Sequence, residues 1–288
     1  SRGLGDVYKR QVINADAMQT YDAFPVLTAQ PTADERQRVP HALYGVLPLS
    51  ETLSAARWRD LAAGEIEACR AAGRLPVLCG GSGLYLRSLM QGIAAVPEVP
   101  AEFRDEANAD WLSMGAAAFR DRLAGKDPEL VGRLKPGDRQ RHVRGWEVWC
   151  ATGRPLSAWQ ADPAVPPPWR FTVVLLAPDR AWLRHRIEAR FDAMLRDGVA
   201  EEVRAVFERR PDPRWPGLKA HGAPEFFAHF RGQLDLDGVR RVAIDHTRQY
   251  AKRQMTWFRH QLTPDVVVSP EQPVDLDGIE KYLTKTVA

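Results

Sequence analysis

The sequence lacks the features that would place it in a membrane or a secreted compartment. No apolar run approaches the roughly 20 residues needed to cross a bilayer, and no charged-then-apolar leader with a small-residue cleavage site opens the chain. Cysteine is scarce: Cys69, Cys79 and Cys150 are odd in number and widely spaced, which disfavours a disulfide framework and a C-x-x-C metal pair. These absences predict a cytoplasmic protein with no membrane partner.

The signatures of two common enzyme classes are also missing. The seven histidines show no H-x-x-x-H or mixed Cys/His spacing, so we expect no zinc site built from the protein's own side chains. There is no G-x-S-x-G elbow, and Ser82 has no evident His partner for acyl transfer. Zinc enzymes and serine hydrolases are therefore disfavoured.

Lysine is the scarce cation, because only seven of the 40 basic residues are Lys and the rest are Arg. A guanidinium offers a planar fork that matches phosphate oxygens and stacks on bases, which favours phosphate or RNA partners. An Arg-rich, high-GC coding bias explains the same composition equally well. Only the placement of the arginines distinguishes the two explanations.

What the sequence does contain is the pattern of an α/β protein. An apolar run from Val12 to Ala15 predicts a first strand, and a helix ending at Gly73 leads into a second, buried strand at 75–79. Further apolar runs predict a strongly buried strand at 171–177 and a last strand at 265–268. Helices feeding parallel strands are typical of a sheet flanked by helices.

A helical segment divides this predicted core. Proline-rich breaks at 96–100 and 161–168 bracket short helical patterns, the last of them capped by Asp138 and stopped by Gly153. We therefore expect a first α/β core segment at 12–96, an all-helical insert at 97–168 and a second α/β core segment at 169–288.

The first 11 residues stand apart from this pattern. They carry no helical or strand period and resemble translated sequencing-adapter read-through. We expect residues 1–11 to be a non-native leader, which the genomic locus or a mass spectrum of the native protein would test.

The first candidate reaction centre is Asp16, at the end of the first strand. Ligands of open α/β sheets collect beyond the carboxyl ends of strands, where Asp16 can accept a proton and Gln19 can pair with the edge of an adenine. An ordinary polar turn remains an equal alternative, because Asp and Gln are common after strands.

A glycine turn follows the second strand. Gly80, Gly81, Ser82 and Gly83 precede a helix whose first free N–H groups point back at the turn and favour an anion. For so short a motif on its own, a tight βα turn that needs small residues is the stronger explanation.

Two helices present basic faces. The segment Gln140–Arg144 forms a polar, cationic patch on the last helix of the insert, for which a solvated surface is an equal alternative. A long final helix at about 236–260 places Arg248 and Lys252 on a face with few acids, and there we favour phosphate contact.

Taken in order, these motifs resemble the tRNA dimethylallyltransferase family. The resemblance covers Val12 to about Arg259, and the last of its motifs is long enough to be specific almost unaided. The motifs are Ala15-Asp16-Ala17-Met18-Gln19, Gly80-Gly81-Ser82-Gly83-Leu84-Tyr85, Asp138-x-Gln140-Arg141-x-x-Arg144 and Arg248-Gln249-Tyr250-Ala251-Lys252-Arg253-Gln254-x-Thr256-Trp257-Phe258-Arg259.

The resemblance implies transfer of a dimethylallyl group from its diphosphate to the exocyclic N6 of adenosine 37, just 3′ of the tRNA anticodon, with Mg²⁺. It implies a P-loop NTPase-like parallel sheet flanked by helices, with an all-helical insert subdomain. The implied partners are the anticodon stem-loop of tRNA and dimethylallyl diphosphate, and we expect a monomer.

The resemblance also implies residue roles. Asp16 becomes the general base, which suits the chemistry because the attacking amine turns cationic and must lose a proton. The implied tRNA contacts are Asp16, Ala17, Met18, Gln19, Ser82, Gln140, Arg141, His142, Val143 and Arg144. The candidates for binding the diphosphate are Gly80, Gly81, Ser82, Gly83, Arg248 and Lys252.

Two features depart from the family pattern. No G-x-x-x-x-G-K-[ST] loop stands upstream of Asp16, and Gly3-x-Gly5 lacks the Lys and hydroxyl of that motif. Taken as it stands, the chain is therefore expected to fold much of its core, bind tRNA weakly and transfer negligibly. The segment Lys219–Pro224 replaces the more usual Ala-Ile-Gly-Tyr, which leaves the tRNA contacts there open.

Two other functions remain alternatives. An adenylate isopentenyltransferase would act on free nucleotides, although such an enzyme has less use for the insert segment Gln140–Arg144. A non-catalytic RNA-binding module is favoured only if the absence of the phosphate loop is native.

Overall fold

The structure, a computed structural model, describes residues 10–272 and shows a mixed α/β protein with small parallel sheets and many helices. The α/β class predicted from the sequence is confirmed. The chain forms two compact units: unit 1 takes the residues up to Met90 and from Pro168 onward, and unit 2 takes Gln91–Pro167. Unit 2 is therefore inserted into the sequence of unit 1.

The first sheet of unit 1 is built around β1 (Arg10–Asn14). This strand pairs in parallel with β2 (His41–Ala42) on one side and with β3 (Leu75–Cys79) on the other, and Asn14 lies opposite Cys79. Because β1 and β3 are parallel and end in register, the residues that follow them emerge at the same edge of the sheet. This register brings Asp16 and the glycine turn together.

A second sheet pairs β4 (Val174–Leu176) in parallel with β5 (Val266–Val268). Both strands are shorter than the apolar runs that predicted them. The prediction of buried strands is wrong for β3 and β4: Val77 is 39% exposed and Leu176 is 58% exposed. In the described region of the chain each of these strands pairs on one side only, and its residues alternate between half-buried and exposed.

Helices make up most of the described chain. They are α1 (Ala33–Arg38), α2 (Ala55–Ala71), α3 (Gly83–Gln91), α4 (Ala101–Ala124), α5 (Pro128–Arg133), α6 (Arg139–Thr152), α7 (Leu156–Ala161), α8 (Arg180–Arg196), α9 (Val199–Phe207), α10 (Ala223–Phe230) and α11 (Leu236–Gln261). Short 3₁₀ helices at Met18–Thr20 and Pro216–Lys219 supplement them.

Side-chain caps fix where several of these helices begin. The caps predicted for α6 are confirmed: the Asp138 carboxylate accepts a hydrogen bond from the Arg141 N–H (3.3 Å), and Gly153 ends the helix at φ 67°. Asp235 caps α11 in the same way through the Gly238 N–H (2.7 Å).

Two cores hold unit 1 together. The larger one gathers apolar residues of α8 to α11, including Phe191, Val203 and Phe226. The smaller one lies between β1 and the helices α2 and α3, where Ile13 and Trp58 are fully buried. The smaller core therefore supports the strand that carries Asp16.

Unit 2 has a core of its own, formed by α4 to α7. Its fully buried side chains include Phe119, Leu123 and Val148. Gly115 interrupts α4 with a φ of 79°, in the left-handed region that favours glycine.

The start of the described chain differs from the prediction. β1 begins at Arg10, two residues before the strand predicted at Val12, so Arg10 and Gln11 of the predicted leader pair with β3. Residues 1–9 of that leader lie outside the described residues, as do residues 273–288. Between residues 10 and 272, no helix combines the length and apolar character that crossing a membrane requires.

The close packing of α5 on α6 yields a stability prediction. A Cβ added at Gly145 would overlap the Cδ2 atom of buried Leu130, whereas one added at Gly132 meets nothing within 4 Å. We expect Gly145→Ala to lower the free energy of unfolding by about 1 kcal/mol or more, because overpacking outweighs the gain in helix propensity.

Gly132→Ala is the matched control and should leave stability unchanged or raise it by up to about 1 kcal/mol. Urea unfolding followed by Trp fluorescence measures both variants. Equal stability of the two variants would contradict this account of the packing.

Candidate functional site

The backbone of Asp16 is held by the side chain of Asn14. The fully buried Asn14 amide donates to the Asp16 carbonyl (2.9 Å) and to the Leu43 carbonyl (3.0 Å), and its oxygen accepts the Asp16 N–H (2.8 Å). The Trp58 indole N–H donates to the Asn14 carbonyl (3.0 Å). Asp16 is therefore fixed at the strand end by a network that is mostly buried, where loss of a partner is costly.

The glycine turn packs directly on this strand end. The Ala15 N–H donates to the Cys79 carbonyl (2.8 Å), the Ser82 N–H donates to the Ala15 carbonyl (3.0 Å), and the Ser82 hydroxyl accepts the Ala17 N–H (2.9 Å). Gly80 lies so close to Ala15 that an added Cβ would overlap its backbone. Glycine is required here by this close approach of two backbones.

Helix α11 packs against the other side of the glycine turn. The Gln254 amide donates to the Gly81 carbonyl (3.1 Å), and Gly83 packs so closely on the Trp257 ring that no Cβ would fit. Tyr250, one turn before Gln254 on α11, lines the same junction. Three segments distant in sequence thus converge on Asp16.

A cavity of about 310 Å³ opens at this junction. Helix α8 contributes Arg186 and Arg190 to its wall, and α11 contributes Tyr250 and Gln254. Its full lining is Asp16, Leu183, Arg186, Ile187, Arg190, Thr247, Tyr250, Ala251 and Gln254. A carboxylate, two guanidinium groups and an apolar floor therefore share a space of the size that small ligands occupy.

Charges in this site act on one another through a partly desolvated environment. Burial lowers the pKa of Arg190, while the negative charge of Asp16 opposes this shift and Arg186 reinforces it. Burial, and secondarily Asp16, raises the pKa of Tyr250. Burial, then Cys79 and Asp16, raises the pKa of Tyr44 to about 12. Both phenols therefore stay protonated at neutral pH and can donate hydrogen bonds.

Met18 and Gln19, which are predicted to contact tRNA together with Asp16, form hydrogen bonds within the protein. The Gln19 amide donates to the carbonyls of Thr28 and Ala29 (2.9 Å each), so its N–H groups already serve the following loop. The Met18 N–H donates to the Asp16 carboxylate (2.8 Å). Pairing of Gln19 with an adenine stays a prediction, and it requires Gln19 to release these carbonyls.

The predicted cations of α11 do not line the cavity. Arg248 pairs with Asp245 (3.0 Å), and Lys252 is exposed. The cavity takes its cations from α8 instead, through Arg186 and Arg190, which the sequence analysis assigned no role. Arg186 and Arg190 lie four residues apart and directly precede Ile187 and Phe191 of the apolar stripe, and this spacing is the signal that could have identified them.

The predicted contact segment of α6 lies in unit 2, and its residues differ in exposure. His142 and Val143 are buried, whereas Gln140 and Arg141 are exposed and Arg144 is half-buried. The His142 Nδ1 atom lies 2.8 Å from the Asp138 carbonyl. Only the exposed and half-buried members can meet a partner without rearrangement.

The unusual segment Lys219–Pro224 lies beside the cavity. The His221 ring is 5.1 Å from the Tyr250 ring, and burial lowers the pKa of His221. Gly222 adopts a φ of 103°, and its N–H donates to the buried Glu225 carboxylate (3.0 Å). This segment therefore supports the wall that carries Tyr250.

A metal site built from protein side chains alone is not seen among residues 10–272, where no three His, Cys, Asp or Glu side chains are grouped to hold an ion. Mg²⁺ commonly binds one or two carboxylates together with substrate phosphates and water. Asp16, the one carboxylate that lines the cavity, fits such a shared site.

Comparison with known proteins gives consistent matches over most of the chain. The family model described as IPP transferase matches residues 19–261. A tRNA dimethylallyltransferase of Rhodospirillum centenum is 49% identical over 278 residues, which cover 96% of this chain and 88% of that protein. Another, from Rhodopseudomonas palustris, is 46% identical over 263 residues, 91% of this chain and 82% of that protein.

Solved structures give a similar result. The tRNA isopentenylpyrophosphate transferase of Bacillus halodurans has a TM-score of 0.66 at 28% identity, covering 96% of this chain and 87% of that one. A eukaryotic dimethylallyltransferase acting on tRNA has a TM-score of 0.78 at 20% identity, covering 98% and 76%. The latter likeness concerns the fold alone.

The contact between the glycine turn and the strand end can be tested by a matched pair of variants. A Cβ at Gly80 would meet backbone atoms, including the Asp16 nitrogen at 2.6 Å, whereas a Cβ at Gly81 would meet only the end of the flexible Gln254 side chain. We expect Gly80→Ala to lower the free energy of unfolding by about 2 kcal/mol or more, and Gly81→Ala by less than about 1 kcal/mol.

Thermal unfolding measures the stability of both variants, and hydrogen exchange at the Asp16 and Ala17 amides reports on the local effect. Faster exchange at these amides is expected in Gly80→Ala alone. Similar exchange in the two variants would show that the close approach does not hold Asp16.

Proposed function

The chain belongs to the IPP transferase family of tRNA prenyltransferases, and on this premise we propose that the full-length gene product transfers a dimethylallyl group from dimethylallyl diphosphate to N6 of adenosine 37 in tRNA. The observation that carries this proposal is the cavity in which Asp16 faces Arg186 and Arg190. A proton acceptor and two cations in one small space are what an amine and a diphosphate need in order to react.

In the proposed reaction the N6 nitrogen attacks the allylic carbon of the donor. The new N–C bond forms as the C–O bond to the diphosphate breaks, and the proton lost by N6 passes to the Asp16 carboxylate. Inorganic diphosphate leaves with the electron pair of the broken bond. Asp16 suits the task because Asn14 holds its backbone while the carboxylate reaches the cavity.

Arg186 and Arg190 are the proposed diphosphate ligands. Guanidinium groups bind phosphate oxygens through parallel N–H donors, and cations in a desolvated site stabilise a departing anion more strongly than in water. Partial desolvation of Arg190, which lowers its pKa, contributes to that environment. The apolar side chains of Leu183, Ile187 and Ala251 would then surround the five-carbon group.

Mg²⁺ is proposed to join the site together with the donor diphosphate. When bound, it would neutralise some of the diphosphate charge and thereby favour its departure. Asp16 is the described residue whose carboxylate would share this ion.

The tRNA is proposed to meet unit 2 through the exposed face of α6, with its anticodon stem-loop as the bound element. Gln140, Arg141 and Arg144 offer hydrogen-bond donors suited to phosphate and sugar. The target adenine must leave its stack to react. We further propose that the protein acts as a monomer in the cytoplasm.

The direct test is an assay with the full-length gene product, Mg²⁺ and dimethylallyl diphosphate. An anticodon stem-loop RNA and free AMP are offered in parallel, and the nucleosides are identified by liquid chromatography with mass spectrometry. N6-dimethylallyladenosine at position 37 of the RNA is expected. Prenylation of AMP alone would instead support a nucleotide-specific isopentenyltransferase.

Replacement of the proposed base separates catalysis from binding. Asp16→Asn keeps an oxygen for the Met18 N–H but cannot take the proton, so we expect transfer to fall by about 10²- to 10⁴-fold. Filter binding should show tRNA affinity within about threefold of wild type, since this change spans only about 0.6 kcal/mol. Unchanged transfer would remove Asp16 from the proton step, and would support a binding module if cellular function also persists.

A second pair of variants tests which cations hold the diphosphate. Arg190→Met removes a guanidinium from the cavity, whereas Arg248→Met removes one that pairs with Asp245 outside it. We expect Arg190→Met to weaken binding of dimethylallyl diphosphate by about tenfold or more, since charge-assisted hydrogen bonds contribute about 1.5–3 kcal/mol. Calorimetric titration measures this, and a larger effect of Arg248→Met would assign the diphosphate to α11.

A further inference from the structure

Unit 2 contains a buried carboxylate shared by two arginines. The side chain of Glu147, on α6, is only 3% exposed. One of its oxygens accepts a hydrogen bond from Arg144 Nη1 at 2.5 Å, and the other accepts one from Arg104 Nε at 3.3 Å. Arg144 lies one turn earlier on α6, whereas Arg104 lies near the start of α4. Glu147 therefore ties two helices together through two cations.

This arrangement has more positive charge than a buried carboxylate needs. Glu147 carries one negative charge, while Arg104 and Arg144 bring two positive charges, so the cluster is expected to keep a net charge of about +1. Both arginine side chains also reach solvent, at 43% and 38% exposure. The carboxylate is buried, whereas the two guanidinium groups are open to solvent. A phosphate can therefore approach the cations without meeting the anion first.

The geometry leaves hydrogen-bond donors for a ligand. Arg104 uses its Nε atom on Glu147, and Arg144 uses Nη1, so both Nη groups of Arg104 and the Nη2 group of Arg144 lie outside these ion pairs. An arginine side chain that already bonds to Glu147 has fewer conformations available. It therefore loses less conformational entropy when it binds a phosphate. Glu147 thus prepares two guanidinium groups at once.

A third arginine joins the same surface through Asn108. The Arg139 guanidinium donates to the Asn108 side-chain oxygen (2.8 Å), and the Asn108 amide donates to the Arg104 carbonyl (2.8 Å). Arg139 is the first residue of α6 and is exposed. The surface formed by Arg104, Arg139 and Arg144, which we call the α4–α6 arginine surface, is therefore organised by side-chain contacts.

We propose that Arg104 binds a backbone phosphate of tRNA together with Arg144, and that Glu147 is a positioning residue that holds both guanidinium groups for this contact. The inference deepens the proposed function and rests on it, because it takes tRNA as the ligand. It adds a residue of α4 to the RNA surface of unit 2, for which the sequence motifs name residues of α6 alone.

The first test measures binding of a fluorescent anticodon stem-loop RNA by the full-length protein across a series of salt concentrations. We expect Arg104→Met to weaken binding by about tenfold, since hydrogen bonds to charged groups contribute about 1.5–3 kcal/mol. The magnitude of the slope of log affinity against log salt concentration should fall by about one, as expected for the loss of one phosphate contact. In turnover, KM for the RNA should rise while kcat stays within about twofold, as expected for uniform binding.

Arg133→Met is the matched control. Arg133 lies on α5 and is half-exposed, and it pairs with Glu129 at 3.8 Å rather than with Glu147. Its loss removes the same charge from the same unit, so it should change RNA affinity by less than about twofold. Equal weakening by the two variants would reduce the effect to net charge and overturn the proposal.

The second test uses the sign of the effect at Glu147. Removal of a negative charge beside a phosphate should strengthen RNA binding if only Coulomb attraction mattered. The positioning role predicts the opposite: Glu147→Gln should weaken binding about fivefold or more, by releasing both arginines. In a protein that already carries Arg104→Met and Arg144→Met, Glu147→Gln should change affinity no further. Stronger binding by Glu147→Gln, or full weakening in the double-variant background, would overturn the proposal.

Two controls separate other failures from this one. Circular dichroism and thermal unfolding show whether Glu147→Gln still folds. If it does not, Arg104→Lys is the deciding variant, because it keeps the charge but loses the planar guanidinium group. Its RNA affinity should lie between those of wild type and Arg104→Met. Wild-type protein that neither binds nor prenylates the RNA would refute the proposed function itself. If wild-type protein binds and prenylates the RNA, but Arg104→Met binds the RNA as tightly as Arg133→Met does, only this inference is refuted.

Discussion

The site depends on the close approach of two backbones, at Ala15–Asp16 and at Gly80. This approach is available only because Gly80 has no side chain and because β1 and β3 run parallel and end in register. The Asn14 side-chain amide makes three hydrogen bonds at this strand end, two of them with the backbone of Asp16. These contacts fix the backbone of Asp16, and its carboxylate accepts the Met18 N–H at the edge of the cavity that α8 and α11 also line.

Arginine and carboxylate groups are combined differently in the cavity of unit 1 and on the surface of unit 2. In the cavity of unit 1, Arg190 lies within the field of Asp16, and partial desolvation lowers the pKa of its guanidinium. On unit 2 the carboxylate is the buried group: Glu147 is buried, and the arginines around it reach solvent. The first combination suits a small anion that must be held and released, and the second suits the backbone of a large polyanion.

Several features of this structure could be predicted from sequence because they depend on local chemistry. The end of β1 before Asp16, the glycine turn, the caps Asp138 and Gly153 and the length of α11 all follow from residue patterns within a few turns of the chain. The exposure of β3 and β4 could not be read from their apolar runs, because it depends on which elements cover each face.

The cavity's cations show the same limit in the site itself. Helical periodicity identified the apolar face of α8 but could not show that Arg186 and Arg190 line one cavity with Asp16, since that depends on packing against α11. It also could not show that Gln19 binds the carbonyls of Thr28 and Ala29, or that Glu147 joins Arg144 to another helix. Each case is decided by contacts with residues outside the local pattern, from 9 residues away for Gln19 to 43 residues away for Glu147.

The central claim is that Asp16, Arg186 and Arg190 form one reaction site. A crystal structure of the full-length protein with Mg²⁺ and a non-hydrolysable analogue of dimethylallyl diphosphate tests it most directly. The account predicts diphosphate oxygens within hydrogen-bonding distance of both guanidinium groups, with the allylic carbon on the side of the Asp16 carboxylate. A diphosphate bound away from both arginines, or an allyl group that Asp16 does not face, would contradict the account.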